Sequence, residues 1–213
     1  MTKDRRSTET QPLRSWEATD EPVTYHGYED QFRHEDGTGL FKLQGVLLFV
    51  KFLIDVSQQT SINEFQVFPA CLVSISTDRI EKQAAAGSLD EGSQRLVHAL
   101  GTALADRTRQ ADKAGRSDRT FTVLLARTMA RNVREHYVPR IAEQLHRVAK
   151  DAGVETAFAF GIASLTEHLV TDPDDMLAKS LRALEAAQQR EPEAMRRGPA
   201  TVAVYDFRTM PLD

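Results

Sequence analysis

From Thr38 onward the chain alternates between two hydrophobic rhythms. One is helical: Leu40, Leu43, Val46, Leu47, Phe49, Val50, Leu53 and Ile54 predict a helix from Thr38 to about Gln59 with apolar residues on most of its circumference. Helical spacing returns at Leu96, Ala99, Leu100 and Ala103, predicting a helix from Asp90 to about Asp106. It returns again at Val133, Tyr137, Ile141, Leu145 and Val148, for a helix from Asn132 to Lys150. Thr171-Asp-Pro-Asp-Asp opens a fourth helix, to about Gln189, with a capping oxygen, Pro173 in the first turn and acids at the positive end of the dipole. The other rhythm consists of short β-branched and aromatic runs: Phe65–Ser76, Phe121–Ala126, Thr156–Ser164 and Thr201–Asp206. Room for a further hairpin strand lies between Arg107 and Arg116. Strands alternating with long helices predict an α/β or α+β layered domain.

Residues 1–33 lack this periodicity. They hold seven acidic and five basic side chains with Pro12 and Pro22, and predict a mostly disordered N-terminal tail ahead of a domain over 34–213. Trp16, Tyr25, Tyr28 and Phe32 give that tail aromatic groups with which to lie on its own domain or dock on a partner.

Composition removes several classes of function. With 27 basic and 31 acidic side chains the net charge is −4, so no global basic field is available for nucleic acid. Arginine outnumbers lysine 20 to 7, a bias typical of GC-rich bacterial genomes. The single cysteine, Cys71, excludes an internal disulfide framework and a CxxC motif. No apolar segment follows the first charges, and the run Val46–Val56 carries Lys51 and Asp55 and is too short to span a bilayer, so a soluble, cytoplasmic chain is expected. The six histidines show no HExxH spacing, and neither a GxSxG elbow nor a GxxxxGK[ST] loop is present.

The order and spacing of several motifs resemble the GGDEF, or diguanylate cyclase, family over residues 35–206. Thr38-Gly39-Leu40 resembles "DxLTGLxNR", Leu72–Asp78 the "LLLDxD" metal strand, and Gly92-Ser-Gln-Arg-Leu96 "GDxxL". Ser117–Leu125 resembles "GGDEFxxLL", Phe160–Ala163 "SIGVA", and Leu181–Ala187 "ADxALYxAK". The resemblance implies a palm-like mixed five-stranded sheet flanked by helices, and a fold whose usual reaction joins two GTP molecules into cyclic di-GMP on carboxylate-held divalent metal.

Carried over position by position, the resemblance implies a site without its chemistry. Ser76 stands at the metal-binding Asp, and Asp78 matches only the second Asp of that strand. Ser117, Asp118, Arg119 and Thr120, ahead of Phe121, replace the two glycines, the Asp and the Glu of the signature loop. Glu81 stands at a lysine, Ala84 and Ala85 at the guanine-contacting Asn and Asp, and Glu185 and Gln188 at the late Tyr and the phosphate-binding Lys. The expectation is a degenerate pseudoenzyme without catalytic residues, metal or other cofactor.

One feature of the family is retained. Arg109-Gln-Ala-Asp112 resembles the RxxD inhibitory site that binds cyclic di-GMP, although four residues rather than the usual five separate it from the loop. An arginine forks onto phosphate or a guanine edge, and a carboxylate accepts from guanine N1–H and N2–H₂. The ordinary reading of the pair is a solvated helix end. Two functions stay open: a cyclic di-GMP receptor relaying to a protein partner, and a nucleotide-independent interaction module or homodimer. For the second, Leu47, Leu48, Phe52 and Leu53 on the first helix are the expected interface, because they cannot all face one core. No nucleic acid partner and no membrane span are expected.

Overall fold

The computed structural model describes residues 31–34, 36–60, 69–78, 80, 82, 87, 89–117, 120–190, 193–195 and 198–212. Of the tail expected over residues 1–33, residues 1–30 lie outside the described residues, as does the strand start expected at 65–68. A compact unit runs from Phe32 to Asp213. Phe32 belongs to it because its ring packs against a core cluster and its carbonyl accepts from the Lys42 N–H at 2.6 Å.

Its strands are β1 (Phe41–Lys42), β2 (Ala70–Thr77), β3 (Lys113–Arg116), β4 (Phe121–Ala126), β5 (Phe158–Ser164), β6 (Glu193–Met195) and β7 (Gly198–Val204). They form one mixed sheet in the order β1-β3-β4-β2-β5-β7-β6. The expected sheet of five is therefore exceeded by its two edges, β1 parallel to β3 and β6 antiparallel to β7. Runs of two and three residues are too short to show a period of two in the sequence.

The helices are α1 (Leu43–Thr60), α2 (Glu91–Arg107), α3 and α4 (Pro173–Gln188). Here α3 comprises Ala130–Asn132, one π-helical turn at Val133–Tyr137, and Val138–Asp151. α1 begins at Leu43 rather than Thr38 because Phe41 and Lys42 are drawn into pairing with Gly115 and Arg116. α2 and α4 are capped by the carboxylates of Asp90 and Asp172, which accept from Ser93 N and Asp175 N at 2.6 and 2.9 Å.

Central β2 pairs antiparallel with both β4 and β5 and is buried along its whole length. Its side chains alternate between two helical layers. Cys71, Val73 and Ile75 join Leu96, Leu100 and Leu104 of α2 and Ile141 and Leu145 of α3. Leu72, on the other face, joins Val46, Val50 and Ile54 of α1 and Met176 of α4. Ser74 shares that second face and hydrogen-bonds Ser180 of α4 at 2.8 Å. α4 lies so close to the sheet at Gly161 that a Cβ there would overlap Leu184 N and Ser180 O. Among the described residues no helix is long and apolar enough to cross a membrane.

Candidate functional site

Two regions matter, one at the C-terminal end of β2 and one at the turn between α2 and β3. By the alternation of β2, Ser76 follows Leu72 and Ser74 toward α4. It is 1% exposed, and its Oγ accepts a hydrogen bond from Gln188 Nε2 at 2.8 Å. The positions at which the family resemblance places a metal carboxylate and a phosphate-binding lysine therefore meet as an uncharged pair. The last pair between β2 and β4 is Ile75↔Phe121. One step further, the register sets Ser76 opposite Thr120.

Asp78 is committed elsewhere. Its Oδ1 accepts from Thr156 Oγ1 at 2.6 Å and from Ala157 N at 3.1 Å, and Lys82 lies 3.3 Å from Oδ2. Burial alone would raise its pKa, but the bonds from Thr156 and Ala157 with the Lys82 charge outweigh it and hold the carboxyl below its ordinary value. Asp78 thus anchors the start of β5. The oxygens of Ser76 and Thr120, with an Asp78 already bonded on Oδ1, do not fit the carboxylate-held metal that the family resemblance implies.

Ser117 and Thr120 of the signature segment close the β3–β4 hairpin. Ser117 N donates to Thr120 O at 2.9 Å, and Phe121 is a buried core residue. Asp118 and Arg119 lie outside the described residues. Just before the turn, Arg116 forms an ion pair with Asp36 at 2.6 Å, tying the segment ahead of α1 to the hairpin.

At the α2–β3 turn the structure separates the two members of the RxxD pair. Arg109 is exposed. Asp112 is 8% exposed, and its Oδ1 accepts from Ala126 N at the end of β4 at 2.9 Å. The carboxylate expected to accept from guanine therefore works inside the fold. Asp112 directly precedes Lys113, which pairs with Leu124, so its side chain reaches the next amides of β4. Burial pushes the Asp112 carboxyl above its ordinary value against the bond from Ala126 and the charges of Arg109 and Lys113. α3 adds two residues that periodicity marks only as helix. Tyr137, in the π turn, packs against the main core; burial pushes its phenol up, and the Asp112 charge adds to that while Arg140 opposes it. Arg140 is exposed. Arg109 thus acts on Asp112, and Asp112 on Tyr137, at the turn, while Arg140 acts on Tyr137 from the same helix.

On α1, Val46, Val50 and Ile54 face the core and Leu53 packs beside them. Leu47 and Leu48 are half-buried, and Phe52 is 56% exposed. The helix therefore has a core face, and of the four expected interface residues Phe52 projects furthest into solvent. Cys71 is buried, with its thiol pushed up to about 12 mainly by burial, and donates to Thr128 O at 3.2 Å.

Comparison with solved structures assigns the architecture. The GGDEF domain of TpbB (YfiN) from Pseudomonas aeruginosa superposes with TM-score 0.60 at 18% identity, over 83% of this chain and 96% of that one. The GGDEF domain of DgcB from Caulobacter crescentus, solved in complex with c-di-GMP, gives 0.59 at 12% identity over 80% and 93%. The diguanylate cyclase SiaD from Pseudomonas aeruginosa, solved with its activator SiaC, gives 0.58 at 17% over 78% and 61%. The domain has the GGDEF fold. No protein-family model matches the sequence, and no curated protein matches it.

Proposed function

We propose that this domain is a catalytically silent GGDEF-fold signalling module that binds cyclic di-GMP at the α2–β3 turn and relays occupancy to a protein partner. The observation that carries the silence is the Ser76–Gln188 hydrogen bond, which joins two neutral side chains where the reaction needs a carboxylate and a lysine. Phosphoryl transfer depends on metal and cationic groups to neutralise the triphosphate, and these side chains provide neither. Incubation with GTP and Mg²⁺ or Mn²⁺ is expected to give neither cyclic di-GMP nor the linear intermediate pppGpG. Turnover that tracks the protein and disappears in Asp78→Ala overturns this half of the reading.

The receptor half rests on exposed Arg109 and Arg140 around the turn. Guanidinium groups bind phosphate or a guanine edge through paired N–H donors. Asp112 is a positioning residue in this reading, since it holds the turn to β4 rather than touching ligand. The cyclic di-GMP complex of the DgcB domain and the activator complex of SiaD support the two parts of the reading, ligand and partner. Calorimetric titration of the full chain with cyclic di-GMP and GTP tests it. Cyclic di-GMP is expected to bind, and Arg109→Ala to weaken it by about tenfold or more, the loss of a charge-assisted fork.

A second reading, a nucleotide-independent interaction module, is favoured by the inward Asp112 and by exposed Phe52 on α1. Absence of cyclic di-GMP binding, with a sedimentation coefficient that falls to the monomer value in Phe52→Glu, selects it.

A further inference from the structure

Arg127 directly follows β4, and its φ of 56° lies in the left-handed region. That conformation costs a residue with a Cβ about 1 kcal/mol or more, so the surroundings must impose it. They do so on both neighbours. Ala126 N is held by Asp112 at 2.9 Å, and Ala126 O accepts from Thr128 Oγ1 at 3.1 Å. Thr128 N donates to Pro69 O at 3.1 Å, and Thr128 O accepts from Cys71 Sγ at 3.2 Å. The start of β2, the α2–β3 turn and the bend itself thus fix the residues before and after Arg127, while Arg127 is exposed. Glycine would meet this backbone without strain. The chain instead carries an arginine, and among the described residues its guanidinium has no ion-pair or hydrogen-bond partner.

Asp112 links this bend to Arg109. Its carboxylate holds the amide one residue before Arg127, and its own N–H donates to Arg109 O at 2.9 Å. Both arginines therefore flank the same buried residue. The surrounding sequence is net basic: residues 105–140 contain nine basic and four acidic side chains in a chain of net charge −4. Of those acids, Asp112 faces inward and Glu135 is paired with Arg131 at 3.0 Å.

We propose that Arg127 is a ligand-contacting residue of the same site as Arg109, supplying, beyond Arg109 and Arg140, a further guanidinium for the second phosphate of a cyclic dinucleotide. Two phosphates held in one ring need separated cationic forks, and the bend fixes the backbone at Arg127 one residue from the amide that Asp112 holds. This inference rests on the receptor reading.

The test is calorimetric titration of the full chain with cyclic di-GMP, with melting temperatures measured on the same samples. Arg127→Gly is expected to weaken binding about tenfold or more while leaving the melting temperature unchanged or higher, because glycine removes the strain. Arg127→Lys is expected to recover part of the affinity by keeping the charge without the fork. Binding by Arg127→Gly within about twofold of wild type, with binding lost in Arg109→Ala, overturns the inference and leaves the receptor reading standing. A wild-type chain that does not bind cyclic di-GMP overturns both.

Discussion

Gln188 Nε2 donates to Ser76 Oγ at 2.8 Å across 112 residues of sequence, joining the end of the last helix to the C-terminal end of the central strand. The bond is local in space and neutral in charge, so it acts as a packing contact between the two segments. Ser76→Ala removes the acceptor and is expected to lower stability by about 1 kcal/mol. Ser76→Asp is expected to cost more, because it sets a carboxylate in a site that is 1% exposed. The double variant Ser76→Asp with Gln188→Lys should recover part of that loss, with a coupling on the order of 1–3 kcal/mol. Denaturant melts of the four proteins in the cycle measure it, and additive losses would show that the two positions do not face each other.

Asp112 offers a test of what a buried carboxylate is for. Its Oδ1 holds Ala126 N, and burial raises its pKa. Asp112→Asn keeps an acceptor oxygen and removes the charge, so at pH 7 it is expected to be neutral or stabilising. Asp112→Ala removes the acceptor and is expected to cost about 1 kcal/mol or more. The sign with pH follows: a raised folded pKa favours the fold below the ordinary value of 3.8, and that contribution is lost as pH rises through the folded value. Melting curves of wild type and both variants at pH 4 and pH 7 check this. A wild type less stable than Asp112→Ala at pH 7 would contradict it.

Gly161 is required by proximity rather than by its dihedral angles. The α4 backbone at Ser180 and Leu184 occupies the space a Cβ would need. Gly161→Ala must push α4 off β5, and a loss of at least about 3 kcal/mol is expected, at the upper end of overpacking costs because the obstruction is backbone. Chemical denaturation, or failure to accumulate as soluble protein, reads it. A loss below about 1 kcal/mol would mean that α4 moves freely on the sheet.

His168 gives the fold a pH dependence nearer neutrality. Its Nδ1 accepts from Ser164 N at 2.8 Å, and its ring packs edge-on to Tyr205 with centroids 5.5 Å apart. Desolvation lowers its pKa below the ordinary 6.5, with Lys179 acting in the same direction and Glu167 and Asp206 opposing. The unfolded chain therefore takes up the proton first. The stabilisation is fully present above pH 6.5 and is lost as pH falls from there toward the folded value. His168→Gln is expected to flatten the change in melting temperature between pH 7.5 and pH 5.5. An unchanged slope would assign the dependence to another group.

The main elements were legible in the chain alone. Phe121–Ala126 was legible as β4 residue for residue because a run of β-branched and apolar side chains marks a buried strand. The start of α4 at Thr171–Asp175 was legible because capping uses residues adjacent in the chain. The family resemblance that implies Ser76 and Thr120 at carboxylate positions likewise needs only the motif order. Tertiary structure alone decided what those residues do. That Ser76 meets Gln188, that Asp112 turns inward onto Ala126, and that Arg127 is forced into a left-handed bend depend on partners in other segments. Likewise, only packing put Tyr137 within electrostatic reach of Asp112 and added the short edges β1 and β6. The physical reason is range. Periodicity and caps record how a segment buries its own face, whereas one polar side chain meeting another in a different segment leaves no trace in the spacing of either.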